Sequence, residues 1–153
     1  MREITEIYIH CSAMPNGRSK WTILDIDDWH KRRNFKRMYA ARKRAREYLT
    51  SVGYHAYINA DGSLAPGRAD WEVGAGVLGY NKNSLHVCLA GTDKFTLPQW
   101  EALKSWIIDK KLKYPDATIY GHNDRTDLKE CPGFDVQKWL YSKMTPLEGH
   151  IHE

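Results

Sequence analysis

Two short apolar runs, far apart in the chain, each end in a histidine. The first, Glu3-Ile-Thr-Glu-Ile-Tyr-Ile-His10, alternates and is rich in β-branched residues, which predicts a strand. The second, Ala117 to Tyr120, reads as a strand that stops at Gly121 and passes into His122, a polar loop and Cys131-Pro132. That loop is long enough to fold back and bring His122 and Cys131 to one point. With His10 from the first strand they form a possible zinc site. Zinc takes imidazole nitrogen at about 2.0–2.1 Å and thiolate sulfur at about 2.3 Å. Three protein ligands leave a fourth position open for water, as in catalytic rather than structural zinc sites. A strand-end histidine taken alone is more often a hydrogen-bonded structural residue than a ligand. The reading therefore depends on what accompanies these three residues.

What accompanies them is a series of motifs in a fixed order. His10-Cys11-Ser12-Ala13 is followed by Gly53-Tyr54-His55, then Asp61-Gly62-Ser63 with Gly67-Arg68, then Gly79-Tyr80-Asn81 with Ser84. Gly121-His122 and Lys129-Glu130-Cys131-Pro132-Gly133-Phe134-Asp135 complete it. The order resembles that of the zinc-dependent N-acetylmuramoyl-L-alanine amidases of the small phage endolysin type, which share a fold with the peptidoglycan recognition proteins. The resemblance runs from about Ile4 to Leu140. It implies an α/β fold with a single mixed β-sheet flanked by helices, and a Zn2+ cofactor held by His10, His122 and Cys131. It also implies peptidoglycan as substrate, cleaved at the amide joining N-acetylmuramic acid to L-alanine.

The bulk properties agree. A chain of 153 residues supports one core, and a hydrophobic content of 42% with 12% aromatics is that of a folded domain. No run of 18 apolar residues exists, so no membrane span is expected. The N-terminal Met-Arg-Glu-Ile-Thr-Glu enters a strand without a basic-then-apolar leader, which predicts synthesis in the cytoplasm and action on the wall only after release. Three cysteines argue against a disulfide framework. Cys11 and Cys88 read as small buried strand residues, and alternation turns Cys11 away from His10. A monomer is the default for a domain of this size.

In chain order, Thr22 caps a helix bearing Ile23, Ile26, Trp29 and His30 and running to about Arg33. Residues 34–52 read as an insertion, an amphipathic helix with Met38, Ala41, Ala45, Tyr48 and Val52 inward and Gly53 as C-cap. A hairpin turns at Asp61-Gly62, and 73–82 is a glycine-rich surface loop. Ser84 to Ala90 is a central strand. Thr96 caps a helix whose buried stripe is Trp100, Leu103, Trp106, Ile107 and Leu112. Asp135 caps a last helix. The catalytic domain spans 1–142, and 143–153 is expected to be a frayed tail.

The chemistry implied by the resemblance adds two catalytic positions. Attack on the amide carbonyl builds an oxyanion that needs a donor or positive charge nearby. Lys129 stands where the family carries a catalytic lysine and is assigned to that oxyanion. Tyr54 matches the family's catalytic tyrosine, with its hydroxyl either orienting the attacking water or donating to the intermediate. Arg68 and Asn81 match the family pattern as contacts to muramyl or peptide groups. Without the resemblance, Lys129 is an ordinary solvated loop lysine and Tyr54 an ordinary strand aromatic. His30, His55 and His86 read as structural, and His150 and His152 as tail residues. Two positions depart from the family: Gly76 stands where relatives often carry a histidine, and His86 where a glycine is common.

Residues 31–46 hold nine Lys or Arg and no acid; removing them from a net charge of +4 leaves −5. The basic stretch therefore reads as a local device. A solvated face is the plain reading. Docking on an anionic envelope surface comes next. Nucleic acid comes last, because aromatic residues for stacking are sparse there. The alternative to an enzyme is a peptidoglycan-binding module of the same fold. Such relatives commonly lack the cysteine ligand, and this chain keeps Cys131. Regulation of a protein partner through the basic stretch is a third reading, and no residue names that partner.

Overall fold

The computed structural model describes residues 2–153. Its strands are β1 (Glu6–Cys11), β2 (Ala56–Ile58), β3 (Leu64–Pro66), β4 (Ser84–Leu89) and β5 (Thr118–Gly121). Its helices are α1 (Ile23–Arg32), α2 (Tyr39–Arg44), α3 (Leu97–Lys113) and α4 (Val136–Tyr141). The strands form one mixed sheet in the order β3-β2-β4-β1-β5. β1 is parallel to both neighbours, with His10 opposite Cys88 on β4 and Ile9 opposite Gly121 on β5. Only the β2–β3 hairpin is antiparallel. The expected α/β architecture is therefore the observed one.

Alternation along β1, β4 and β5 gives the sheet two unlike faces. Ile7, Ile9 and Cys11 share one face with Leu85, Val87, Leu89 and Ile119. They pack against Trp100, Leu103, Trp106 and Ile107 of α3 and Val136 and Trp139 of α4. Each such side chain, fully buried, contributes about 1.5–3 kcal/mol. The opposite face carries Glu6, Tyr8, His10, Ser84, His86 and Tyr120, so its interior is polar and aromatic. Only at its β2 side does it become apolar, where Tyr57 and Cys88 meet Ile23 and Ile26 of α1.

Local signals account for the helix starts. Thr22 and Asp25 form a capping box on α1, and Thr96 and Gln99 form one on α3. Gln99 then donates to the carbonyls of Ile58 and Ala90, tying α3 to the ends of β2 and β4.

Three expectations are corrected. The insertion is not one amphipathic helix, and 31–46 is not one basic helix. It comprises the end of α1, a turn through Asn34 (φ 64°) and the six-residue α2, followed by a left-handed Arg46. Met38 and Tyr48 of the supposed apolar stripe are 76% and 65% exposed. The segment folds instead around a buried cation. Arg37 pairs with Glu72 through two bonds of 2.6 and 2.9 Å and donates to the carbonyls of Ala45, Arg46 and Leu49. Burial opposes ionisation of Glu72, but the Arg37 fork holds its carboxyl below its ordinary value. Leu112 is outside the α3 stripe and exposed. The C-terminal segment is docked rather than frayed: Ile151 bridges Phe95, Leu147 is buried, and Trp100 donates to the His150 carbonyl.

Candidate active site

The register explains how residues distant in sequence converge. β1 and β5 are adjacent and parallel, so His10 and His122 leave the sheet side by side with ring centroids 5.0 Å apart. A 3-10 turn over His122–Asp124 starts the following loop, and the Asp124 carboxylate accepts the Gly121 N–H at 2.7 Å. Arg125 pins the turn to β1. It pairs with Glu6, donates to the Tyr8 hydroxyl at 2.9 Å and stacks on Tyr120. The loop closes where Asn123 N–H donates to the Cys131 carbonyl at 2.8 Å. Gly133 (φ 88°) completes the return, and a Cβ there would sit 2.1 Å from the Thr92 carbonyl oxygen.

The structure thus brings together three of the residues read from sequence. Ligand atoms of His10, His122 and Cys131 lie within 4.8 Å of one another. His10 Nδ1 is 3.7 Å from Cys131 Sγ. A tetrahedral ion bound to one nitrogen and one sulfur would set them about 3.6 Å apart. Burial, together with the nearby His122 and His30, holds His10 well below its ordinary pKa. Burial, Lys129 and Arg33 lower His122 in the same direction. Both imidazoles are therefore neutral, as ligands must be. The Cys11 sulfur and burial push the Cys131 thiol up; a divalent cation reverses that preference by favouring the thiolate. Cys11 N–H already donates to Cys131 Sγ at 3.2 Å. Donor set, spacing and outer contacts all fit zinc.

His122 and Cys131 line a cleft of about 1170 Å³, with His10 buried beside them. Tyr54 lines it, its ring 4.9 Å from His10 and 5.0 Å from His30, and burial raises its phenol well above the ordinary value. Lys129 is exposed on the loop wall. Asn81 also lines the cleft, but its Oδ1 accepts the N–H groups of Gly76 and Val77, so it organises the 73–82 loop. Arg68 is a correction. It is buried, its guanidinium donates to the Val52, Val73 and Ser51 carbonyls, and it does not line this cleft. Those committed donors make it an internal clamp rather than a substrate contact.

Three features in or behind the cleft escaped the sequence reading. His30 lines the cleft, and because its Nδ1 accepts the Gly53 N–H at 2.8 Å, its Nε2 carries the proton. Its position on the inward stripe of α1 was the available signal. Arg33, just beyond α1, also lines the cleft, and no local pattern marks it. His86 touches His10, a contact visible only once the β1–β4 register is known.

Comparison with known proteins gives a consistent result. The family model described as N-acetylmuramoyl-L-alanine amidase matches residues 1–134. The endolysin of Klebsiella phage KP32 is 32% identical over 146 residues, covering 90% of this chain and 86% of the relative. The endolysin of Escherichia phage T7 is 33% identical over 147 residues, covering 90% and 87%. Among solved structures, the N-acetylmuramoyl-L-alanine amidase LysC from Clostridium intestinale URNW superposes with a TM-score of 0.75 at 23% identity, over 94% of this chain and 86% of that one. Drosophila PGRP-LB superposes with a TM-score of 0.68 at 23% identity, over 97% and 86%.

Proposed function

The chain belongs to the N-acetylmuramoyl-L-alanine amidase family, and on that premise we propose that its cleft hydrolyses the muramoyl–L-alanine amide of peptidoglycan at a zinc ion held by His10, His122 and Cys131. The observation that carries this reading is the convergence of those three ligand atoms at the cleft that His122 and Cys131 line. A zinc ion there would supply a Lewis acid for the scissile carbonyl and lower the pKa of water towards ~7.

The remaining work falls to side chains of this chain. The Cys11 N–H holds the Cys131 sulfur in place from the sheet side. As water adds to the carbonyl carbon, the carbonyl oxygen gains negative charge. Lys129 supplies donors to that oxygen from the loop wall. Burial keeps Tyr54 protonated at neutral pH, which favours it as a donor over a base. Asn81 acts at one remove by shaping the loop that borders the substrate. The exposed residues of the basic segment away from the cleft, Lys31, Arg32, Lys36, Lys43 and Arg44, are the candidate surface for anionic envelope polymers. Action on the wall follows synthesis and release, in keeping with the endolysin relatives.

The test is digestion of purified peptidoglycan with and without a strong chelator, with products read by mass spectrometry. Chelator-sensitive release of stem peptides with a free L-alanine amine, leaving intact muramic acid, is expected. Binding without release would replace this reading by a recognition module.

A further inference from the structure

We propose that His86 is a positioning residue for the metal centre: through a directed hydrogen-bond chain it fixes His10 as the tautomer whose bare Nδ1 faces His122 and Cys131. The inference rests on the zinc reading above but concerns a residue outside the ligand set.

The direction of the chain is set by a backbone carbonyl, which can only accept. The Ser84 hydroxyl lies 2.7 Å from the Tyr80 carbonyl oxygen and must donate to it. Its proton is then spent. At 2.9 Å from Ser84 Oγ, His86 Nε2 must therefore be the donor. A neutral imidazole carries one proton, so His86 Nδ1 is bare and accepts. Its partner at 2.9 Å is His10 Nε2, which must carry the proton. His10 Nδ1 is consequently the lone-pair nitrogen, and it lies 3.7 Å from Cys131 Sγ. The four groups leave one consistent proton arrangement, and it is the one a metal requires. A ligand histidine whose other nitrogen donates to a fixed partner is oriented and made more basic.

The fold also prevents His86 from turning. Its ring is stacked between Tyr8 (5.5 Å, 16°) and His55 (5.9 Å, 14°) and is fully buried. Gly76 passes over its edge, and a Cβ at that position would lie 2.3 Å from His86 Nδ1. The Asn81 bonds to Gly76 and Val77 hold the loop there. Glycine at 76 is thus the complement of histidine at 86.

The experiment combines two readouts. Imidazole 15N shifts of the metal-free protein report which His10 nitrogen bears the proton. Competition with a chromogenic chelator reports the zinc dissociation constant for the wild type, His86→Leu, His86→Asn and Gly76→Ala. Nε2–H on His10 is expected in the wild type. His86→Leu should bind zinc about 10–100-fold more weakly. His86→Asn, whose amide oxygen can stand in for Nδ1, should recover most of that loss. Gly76→Ala, which touches no ligand, should weaken zinc by displacing the ring. If His86→Leu fails to fold, the Asn rescue and Gly76→Ala carry the comparison. A proton on His10 Nδ1, or equal zinc affinity across the folded variants, overturns the proposal while leaving the zinc centre standing. A wild type that binds no zinc but shows the Nε2–H tautomer sinks the zinc reading and keeps the chain.

Discussion

The two walls of the cleft are built by different means. On the sheet side His30 lines the cleft and His10 and His86 lie buried on the polar face of the sheet, each with a protein hydrogen bond to an imidazole nitrogen. On the other, the loop carrying His122, Lys129 and Cys131 is half-exposed to exposed and held mainly near its ends, by Arg125 on β1 and by Asn123 at the return. The difference separates two tasks. The sheet wall sets ligand geometry as part of folding. The loop wall brings charge and a thiol to that geometry at little cost to the fold.

The sharpest way to break this contrast is to remove one ligand from each wall. Cys131→Ala is expected to lose more than about 10³-fold in hydrolysis, the loss of several kcal/mol of metal assistance. Its metal-free melting temperature should stay near wild type. His10→Ala should lose as much activity and, in addition, about 2 kcal/mol or more of metal-free stability, because it empties a buried site and leaves the His86 acceptor unpaired. Equal melting curves for the two metal-free variants would erase the distinction. Lys129→Ala comes next: kcat should fall about 10²–10³-fold with zinc content and melting temperature unchanged.

Acid should act through the sheet wall. Burial above all, and then nearby arginines, pulls His30 from 6.5 to about 4, and burial does the same to His55. These folded values lie below the unfolded ones, so the unfolded state binds protons first as pH falls. Stability is fully present above pH 6.5 and is lost between 6.5 and about 4. At pH 5.5 the loss is about 1.4 kcal/mol for each histidine. Thermal unfolding at pH 7.5 and 5.5 measures it, and His55→Gln should flatten the dependence. The smallest effect belongs to the basic surface. Lys43→Gln should weaken low-salt binding to anionic envelopes by less than about tenfold, since one surface charge contributes about 1 kcal/mol. Binding that ignores salt would remove docking from consideration.

Much of the site was legible because its chemistry is written locally. His10 ends an alternating run, His122 follows a strand stop, and Lys129, Cys131 and Pro132 stand together, so residue type and motif order were enough to nominate them. Helix starts were equally readable from Thr22, Thr96 and Asp135. What failed was whatever depends on register or on long-range pairing. Nothing next to Arg37 in sequence announces Glu72, and without that pair the Met38-to-Val52 spacing looked like a helix. Arg68 looked like a contact because its carbonyl partners come from a segment folded over it. His86 looked structural because its bond to His10 crosses two strands whose alignment the sequence does not state. The docking of Leu147 and Ile151 likewise depends on Phe95, far upstream.

The two-faced sheet has a consequence for anyone wishing to move or redesign this centre. On the α3 and α4 side, residues such as Ile7, Val87 and Leu89 answer to volume and shape, and swaps that conserve both are tolerated. On the cleft side, Tyr8, Ser84 and His86 answer to proton position, and an isosteric replacement can be wrong in every hydrogen bond it makes. Grafting the three ligands onto another pair of parallel strands would therefore carry over the contacts but not the preparation of His10. The transferable unit is a strip of sheet three strands wide, together with the glycine loop that lies across it.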